Sequence, residues 1–128
     1  MAELYRRRFP AAPEAVPHAR HDVLDTLTQA GLTDPALRSN VAPAVSEATA
    51  NAVRHAYPPD RTDGHVDVAV ARTSDRLTVA VSDEGLGMRS GVPSQGSGLG
   101  LSIMTAEAQD VAVESGERGT VVVLRFRL

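Results

Sequence analysis

The chain has 128 residues, a formal net charge of −3 and no cysteine, which suits one core and excludes disulfides and thiolate metal sites. Hydrophobic residues make up 42 % of it but aromatics only 3 %, so Val, Leu and Ala must build that core. No window reaches the roughly 18 consecutive apolar residues that cross a bilayer, the start is unlike a signal peptide, and the acidic balance offers nucleic acid no global positive field; a cytoplasmic protein with no membrane contact and no direct nucleic-acid contact is expected.

Leu4 to Phe9 reads as a first strand, stopped by Pro10. Its Arg6-Arg7-Arg8 run suits a solvated strand edge or a contact to a partner or nucleotide, and both readings stay open. Pro13 to Ala30 follows as a helix, with Val16, Ala19, Val23, Leu24 and Leu27 near helical spacing and Gly31 closing it. Asp34-Pro35 has the cap-then-proline order of a second helix start. The main helix then carries Val41, Val45, Ala48 and Ala52 on one face. Pro43 inside it would lose a hydrogen bond and clash one turn back. A start near Ser39, which puts Pro43 in the first turn, is therefore expected in preference to a kink.

Pro58-Pro59-Asp60 ends that helix, and Arg61 to Gly64 reads as a loop. Val66, Val68 and Val70 alternate along one strand and Leu77, Val79 and Val81 along the next. The short Thr73-Ser74-Asp75 link makes the two a hairpin. A glycine-dense stretch, Gly85 to Gly100, leads into a helix over Leu101 to Ala108. Strands at Val111 to Glu114 and Thr120 to Phe126 meet at a Gly116–Gly119 turn. Residues 1–128 are thus expected to form a single α+β domain. It would be a two-layer sandwich with helices on one face of a mixed, mostly antiparallel sheet.

Three clusters carry chemistry. Glu47 and Asn51 stand four residues apart on one helix face, with Arg54 and His55 one turn on. A carboxylate beside an amide oxygen suits a hydroxyl-activating base next to a ligand for a hard cation, although a plain polar helix face has the same spacing. Asp83-Glu84-Gly85-Leu86-Gly87 follows an alternating strand. An Asp at a strand end can accept a hydrogen bond from an exocyclic amine, and the glycines allow close ligand approach; an ordinary glycine turn is the other reading. Gly96-Ser97-Gly98-Leu99-Gly100 runs into a helix start, where free N–H groups and the helix dipole favour phosphate. The run lacks the Gly-Lys-Ser/Thr ending of a P-loop and comes too late for a Rossmann fingerprint. His18 and His21 share one side of the first helix but lack a third ligand for a metal site. His65 opens a strand and reads as solvated.

In this order, SEATANAVRHAY (46–57), DEGLGM (83–88), GSGLGLSIM (96–104) and GTVVVLRF (119–126) resemble the N, G1, G2 and closing boxes of the GHKL, or Bergerat-fold, ATPases. Within them the chain is most similar to the bacterial anti-sigma-factor serine/threonine kinases. The lead-in FPAAPEAVPHAR (9–20) and the stretch EATANAVRHAY (47–57) carry that likeness. The resemblance implies a Bergerat-type fold, ATP and Mg2+ as cofactors, and transfer of phosphate to a serine. It implies Glu47 as the general base, Asn51 as the Mg2+ ligand, and Arg54 and His55 bordering the nucleotide. Asp83 would take the adenine amine, with Gly85, Gly87 and Met88 shaping that pocket and Thr120 closing it. Gly96, Ser97, Gly98, Leu99, Gly100 and Leu101 would wrap the phosphates.

A sigma factor and an antagonist of the anti-sigma factor are the implied partners. Arg20 falls where the family places a partner-contacting arginine, and homodimerisation is left open. The lid between the glycine boxes departs from the family's longer, charged one: here it is Arg89 to Gln95 (RSGVPSQ). So short a lid suits holding ATP better than shielding its γ-phosphate. A module that binds ATP only to order a partner surface is therefore the main alternative. A detached sensor histidine kinase domain is a further one, though such domains usually carry Asn or His where Glu47 stands.

Overall fold

Strict alternation of branched aliphatic and small or polar residues builds the sheet, and a computed structural model describes residues 2–55, 64–84, 110–116 and 119–128. Among them the order is β1 (Ala2–Pro10), α1 (Ala15–Gln29), α2 (Pro35–His55), β2 (His65–Arg72), β3 (Arg76–Asp83), β4 (Asp110–Gly116) and β5 (Gly119–Arg127). The helix expected over 101–108 and most of the loop before β2 lie outside the described residues. The five strands lie in the order β1-β2-β3-β5-β4, and each neighbouring pair is antiparallel. This is the α+β sandwich expected from the chain order of the elements.

One sheet face is apolar. Val66, Val68 and Val70 of β2, Leu77, Val79 and Val81 of β3, and Val122, Leu124 and Phe126 of β5 are all buried. Both helices pack on this side, α2 against β2, β3 and β5 and α1 against β1 and β2. The predicted β2–β3 hairpin forms, closed by the Thr73 N–H donating to the Arg76 carbonyl at 2.9 Å.

Helix α1 buries Ala15, Ala19, Val23, Thr26 and Leu27. Gly31, at φ +76°, turns the chain out of it, and the Leu32 N–H donates back to the Leu27 carbonyl at 2.8 Å, the pattern of a glycine-closed helix.

Helix α2 corrects the sequence expectation. It starts at Pro35, not near Ser39, and runs through Pro43 over 21 residues. Asp34 Oδ1 accepts from the Ala36 N–H at 3.1 Å and so caps the start. The Ser39 hydroxyl instead donates to the Pro35 carbonyl inside the helix. Leu37, Val41, Ala44, Val45, Ala48 and Ala52 are buried before and after the proline. That continuous stripe against the sheet outweighs the one backbone bond Pro43 removes.

The arginine run of β1 sits at the sheet edge, each member beside a carboxylate. Arg6 pairs with Glu3, Arg7 with Asp22 at 2.8 Å and Arg8 with Asp67 at 2.9 Å. Arg7 also lies over the Phe9 ring, 4.7 Å from its centroid. The Tyr5 hydroxyl donates to the same Asp22 carboxylate at 2.7 Å, so Tyr5, Arg7 and Asp22 tie the edge strand to α1. This is the solvated-edge arrangement, with its charges held within the fold.

Candidate nucleotide-binding site

The alternation of β3 ends in a carboxylate. Leu77, Val79 and Val81 face the helices, and Asp83, next on that face, is 8 % exposed. Opposite it in the β3–β5 ladder stands Thr120, also buried, at the head of the row that continues with Val122, Leu124 and Phe126. An aliphatic face thus finishes, at one end of the sheet, in an acid and a hydroxyl. Taking a carboxylate out of water is costly without hydrogen-bonding partners, so a buried acid at a strand end is a candidate site residue.

Glu47 and Asn51 are half-buried on α2. Each precedes a buried alanine, Ala48 or Ala52, so the pair lies about 100° around the helix from the core stripe. That places both groups beside the core and not in it, as the four-residue spacing predicts. The exposed Arg54 donates from its guanidinium to Asn51 Oδ1 at 3.0 Å, which turns the amide oxygen towards a cation. On the neighbouring helix, exposed Arg20 reaches Ser46 Oγ at 3.3 Å, next to Glu47 in the chain.

The structure therefore assembles two parts of the predicted constellation, Asp83 with Thr120 through the sheet and Glu47 with Asn51 and Arg54 through α2. His55 ends α2, and its side chain is outside the described residues. So are Gly85, Gly87, Met88, the phosphate-loop residues Gly96 to Leu101 and the lid. His65 departs from its solvated reading: its side chain is only 25 % exposed, and its Nε2 lies 3.5 Å from Glu84 Oε2.

One residue was given no role beyond the turn. Gly119 precedes Thr120 at φ +118°, and in the sequence it stands only as the turn glycine that opens the closing box GTVVVLRF (119–126).

The donor set can be weighed against Mg2+. Among the described residues no group of three or more His, Cys, Asp or Glu could hold a metal by itself. Mg2+ commonly takes only one or two protein oxygens and completes its shell with phosphate and water. The amide oxygen of Asn51 fits that limited part by its chemistry, and the Arg54 guanidinium now holds the same oxygen.

A sheet carrying two helices on one face, with a polar pair closing one end of its apolar side, is the architecture of the histidine kinase-like ATPases. The chain belongs to that family, matching the histidine kinase-like ATPase domain over residues 9–126, and within it to the anti-sigma-factor serine-protein kinases. It is 29 % identical to the serine-protein kinase RsbW of Bacillus subtilis, over 98 % of this chain and 86 % of that one. It is 30 % identical to the anti-sigma F factor of Clostridium novyi, over 74 % of this chain and 76 % of that one. Among solved structures, the RsbU and RsbW domains of a Mycobacterium tuberculosis protein superpose with a TM-score of 0.77 at 25 % identity. That match covers 97 % of this chain but only 31 % of the solved one. No helix among the described residues is long and apolar enough to cross a membrane.

Proposed function

We propose that the chain is an ATP-dependent serine/threonine kinase that holds a sigma factor and phosphorylates a serine on an antagonist protein, thereby switching partners. The observation that carries this reading is the Glu47–Asn51 pair, half-buried on one face of α2 beside the core, in a chain of the family that includes RsbW. Glu47 is one helical turn from the metal-ligand position, where it can take the proton of an incoming serine hydroxyl. Asp83 accepts a hydrogen bond from the exocyclic amine of adenine, and Thr120 closes the same side. The glycines of 96–100 are assigned to the phosphates by this reading, since backbone N–H groups before a helix start favour anions.

Asn51 would hold the Mg2+, which when bound neutralises phosphate charge and orients the transferred group. The remaining work falls to the protein: Glu47 removes the proton, Asp83 and Thr120 fix the base, and Arg54 supplies positive charge beside Asn51. Arg20, exposed on α1, is placed on the partner surface by this reading. The expected compartment is the cytoplasm, where such partners reside.

The test is transfer from labelled ATP to the antagonist protein. Transfer that depends on Glu47 supports the kinase. Tight ATP and sigma-factor binding without transfer would instead favour a module in which ATP only orders the partner surface, the reading supported by the short lid at 89–95.

A further inference from the structure

Two glycines among the described residues have positive φ, and their surroundings differ. Gly31, at +76°, has nothing within 4 Å of an added Cβ, so a side chain there would strain only the backbone. Gly119, at +118°, closes the β4–β5 ladder opposite Gly116. A Cβ on it would overlap the Asp83 carbonyl oxygen and lie 2.7 Å from the Asp83 carbonyl carbon and 2.8 Å from Glu84 Cα. These are main-chain atoms, so no rotamer change relieves the overlap. Either β5 withdraws or the end of β3 moves, and the end of β3 is where the buried Asp83 faces Thr120.

We infer that Gly119 is a positioning residue for the base-binding carboxylate: lacking a side chain, it lets the head of β5 close on the end of β3 and so fixes Asp83 where it meets the exocyclic amine of adenine. The inference rests on the nucleotide reading above. It separates Gly119 from an ordinary turn glycine, because what obstructs a side chain is the backbone of the recognition residue itself. The consequence concerns base selectivity. ATP has an amine at the purine 6-position and inosine triphosphate a carbonyl, so only ATP gains from a correctly placed carboxylate acceptor. A hydrogen bond to a charged group corresponds to roughly ten- to a hundredfold in affinity.

The experiment measures ATP and inosine triphosphate binding by calorimetry for the wild-type chain, Gly119→Ala and Gly31→Ala, with circular dichroism confirming that each is folded. Gly31→Ala controls for positive-φ strain remote from the site. The expected result is a wild-type preference for ATP of about tenfold or more. Gly119→Ala should lose most of it through weaker ATP binding alone, while Gly31→Ala keeps it. If Gly119→Ala keeps the wild-type preference, or weakens both nucleotides equally, the inference is overturned and Gly119 is a turn residue only. Should the alanine chain unfold in plain buffer, the measurement is repeated in a stabilising osmolyte, which favours the compact state. Failure to fold even there also overturns it, since the close approach would then serve the fold and not the site. A wild-type chain that binds neither nucleotide overturns the nucleotide reading itself, and this inference with it.

Discussion

Asp83 faces Thr120 directly across the β3–β5 ladder, and both side chains are buried on the helix-bearing side of the sheet. Two strands thus deliver an acid and a hydroxyl to one spot that neither could build alone. Replacing the acid by alanine removes the charged acceptor while leaving the ladder's backbone bonds intact. Asp83→Ala should weaken ATP binding by roughly ten- to a hundredfold. Thr120→Val, which keeps the shape and removes the hydroxyl, should lose less, about tenfold at most. Nucleotide titration of the two variants, with folding checked by circular dichroism, reads the difference. Equal affinity of Asp83→Ala and wild type would remove Asp83 from the site.

The role proposed for Glu47 concerns transfer and not binding. If it is the general base, Glu47→Ala should lower the transfer rate by about 10²- to 10⁴-fold and leave ATP affinity close to wild type. Single-turnover transfer to the antagonist protein, beside a nucleotide titration, separates the two quantities. A variant that transfers phosphate at the wild-type rate refutes the assignment.

The hydrogen bond from Arg54 to Asn51 Oδ1, at 3.0 Å, occupies the oxygen assigned to Mg2+. Asn51→Ala should therefore raise the Mg2+ concentration needed for half-maximal ATP binding. Arg54→Ala frees that oxygen and should leave the Mg2+ requirement unchanged or lower it. Titrating Mg2+ at fixed ATP tests both variants, and a higher requirement in Arg54→Ala would mean that the arginine holds the amide in its working orientation.

The Tyr5–Asp22–Arg7 cluster predicts how stability varies with pH. Partial burial works against the charge of Asp22, but the hydrogen bonds from Tyr5 and Arg7 and the Arg7 charge overcome it, leaving this carboxyl below its usual range. Its contribution is present above the unfolded value of about 4 and is lost as pH falls through the folded one. Burial, then the Asp22 hydrogen bond and charge, raise the Tyr5 phenol above its ordinary value. Its contribution is complete below an unfolded value of about 10 and fades as pH rises beyond it. Stability should accordingly be flat between these limits and fall on both flanks. Tyr5→Phe should cost about 1 kcal/mol near neutrality and remove most of the alkaline fall, which urea unfolding at several pH values would show.

The strands were legible because each buries one face, so residues such as Val66, Val68, Val70 and Leu77, Val79, Val81 print a period of two. Asp83 was legible for the same reason, as a polar residue ending an apolar row. Helical spacing put Glu47 and Asn51 on one face, but only the resemblance of the whole SEATANAVRHAY stretch marked them as site residues. The role inferred for Gly119 was not legible, because a close approach between residues 36 positions apart leaves no local pattern, and only the structure shows what its missing side chain would meet. The partial burial of His65 escaped notice likewise, since a strand's first residue carries no periodic signal. The ion pairs of the arginine run depend on Asp22 and Asp67, partners remote in sequence.

Pro43 shows where local propensity lost to tertiary packing. An interior proline costs an isolated helix about 3 kcal/mol, which is why a start near Ser39 was expected. Here α2 continues through it, because Leu37 and Val41 on one side and Ala44, Val45 and Ala48 on the other belong to one buried stripe. Shortening the helix to begin after Ser39 would expose Leu37 and discard the Asp34 cap at the Ala36 N–H. Pro43→Ala should therefore restore a backbone donor one turn after Ser39 and stabilise the fold by about 1–2 kcal/mol, part of the gain being offset by greater freedom of the unfolded chain. Thermal unfolding should show a rise of several degrees, about 4–8 °C per kcal/mol for small domains. A lower midpoint would mean that the proline shapes α2 to the sheet, and that the cost of the missing bond is recovered through its packing.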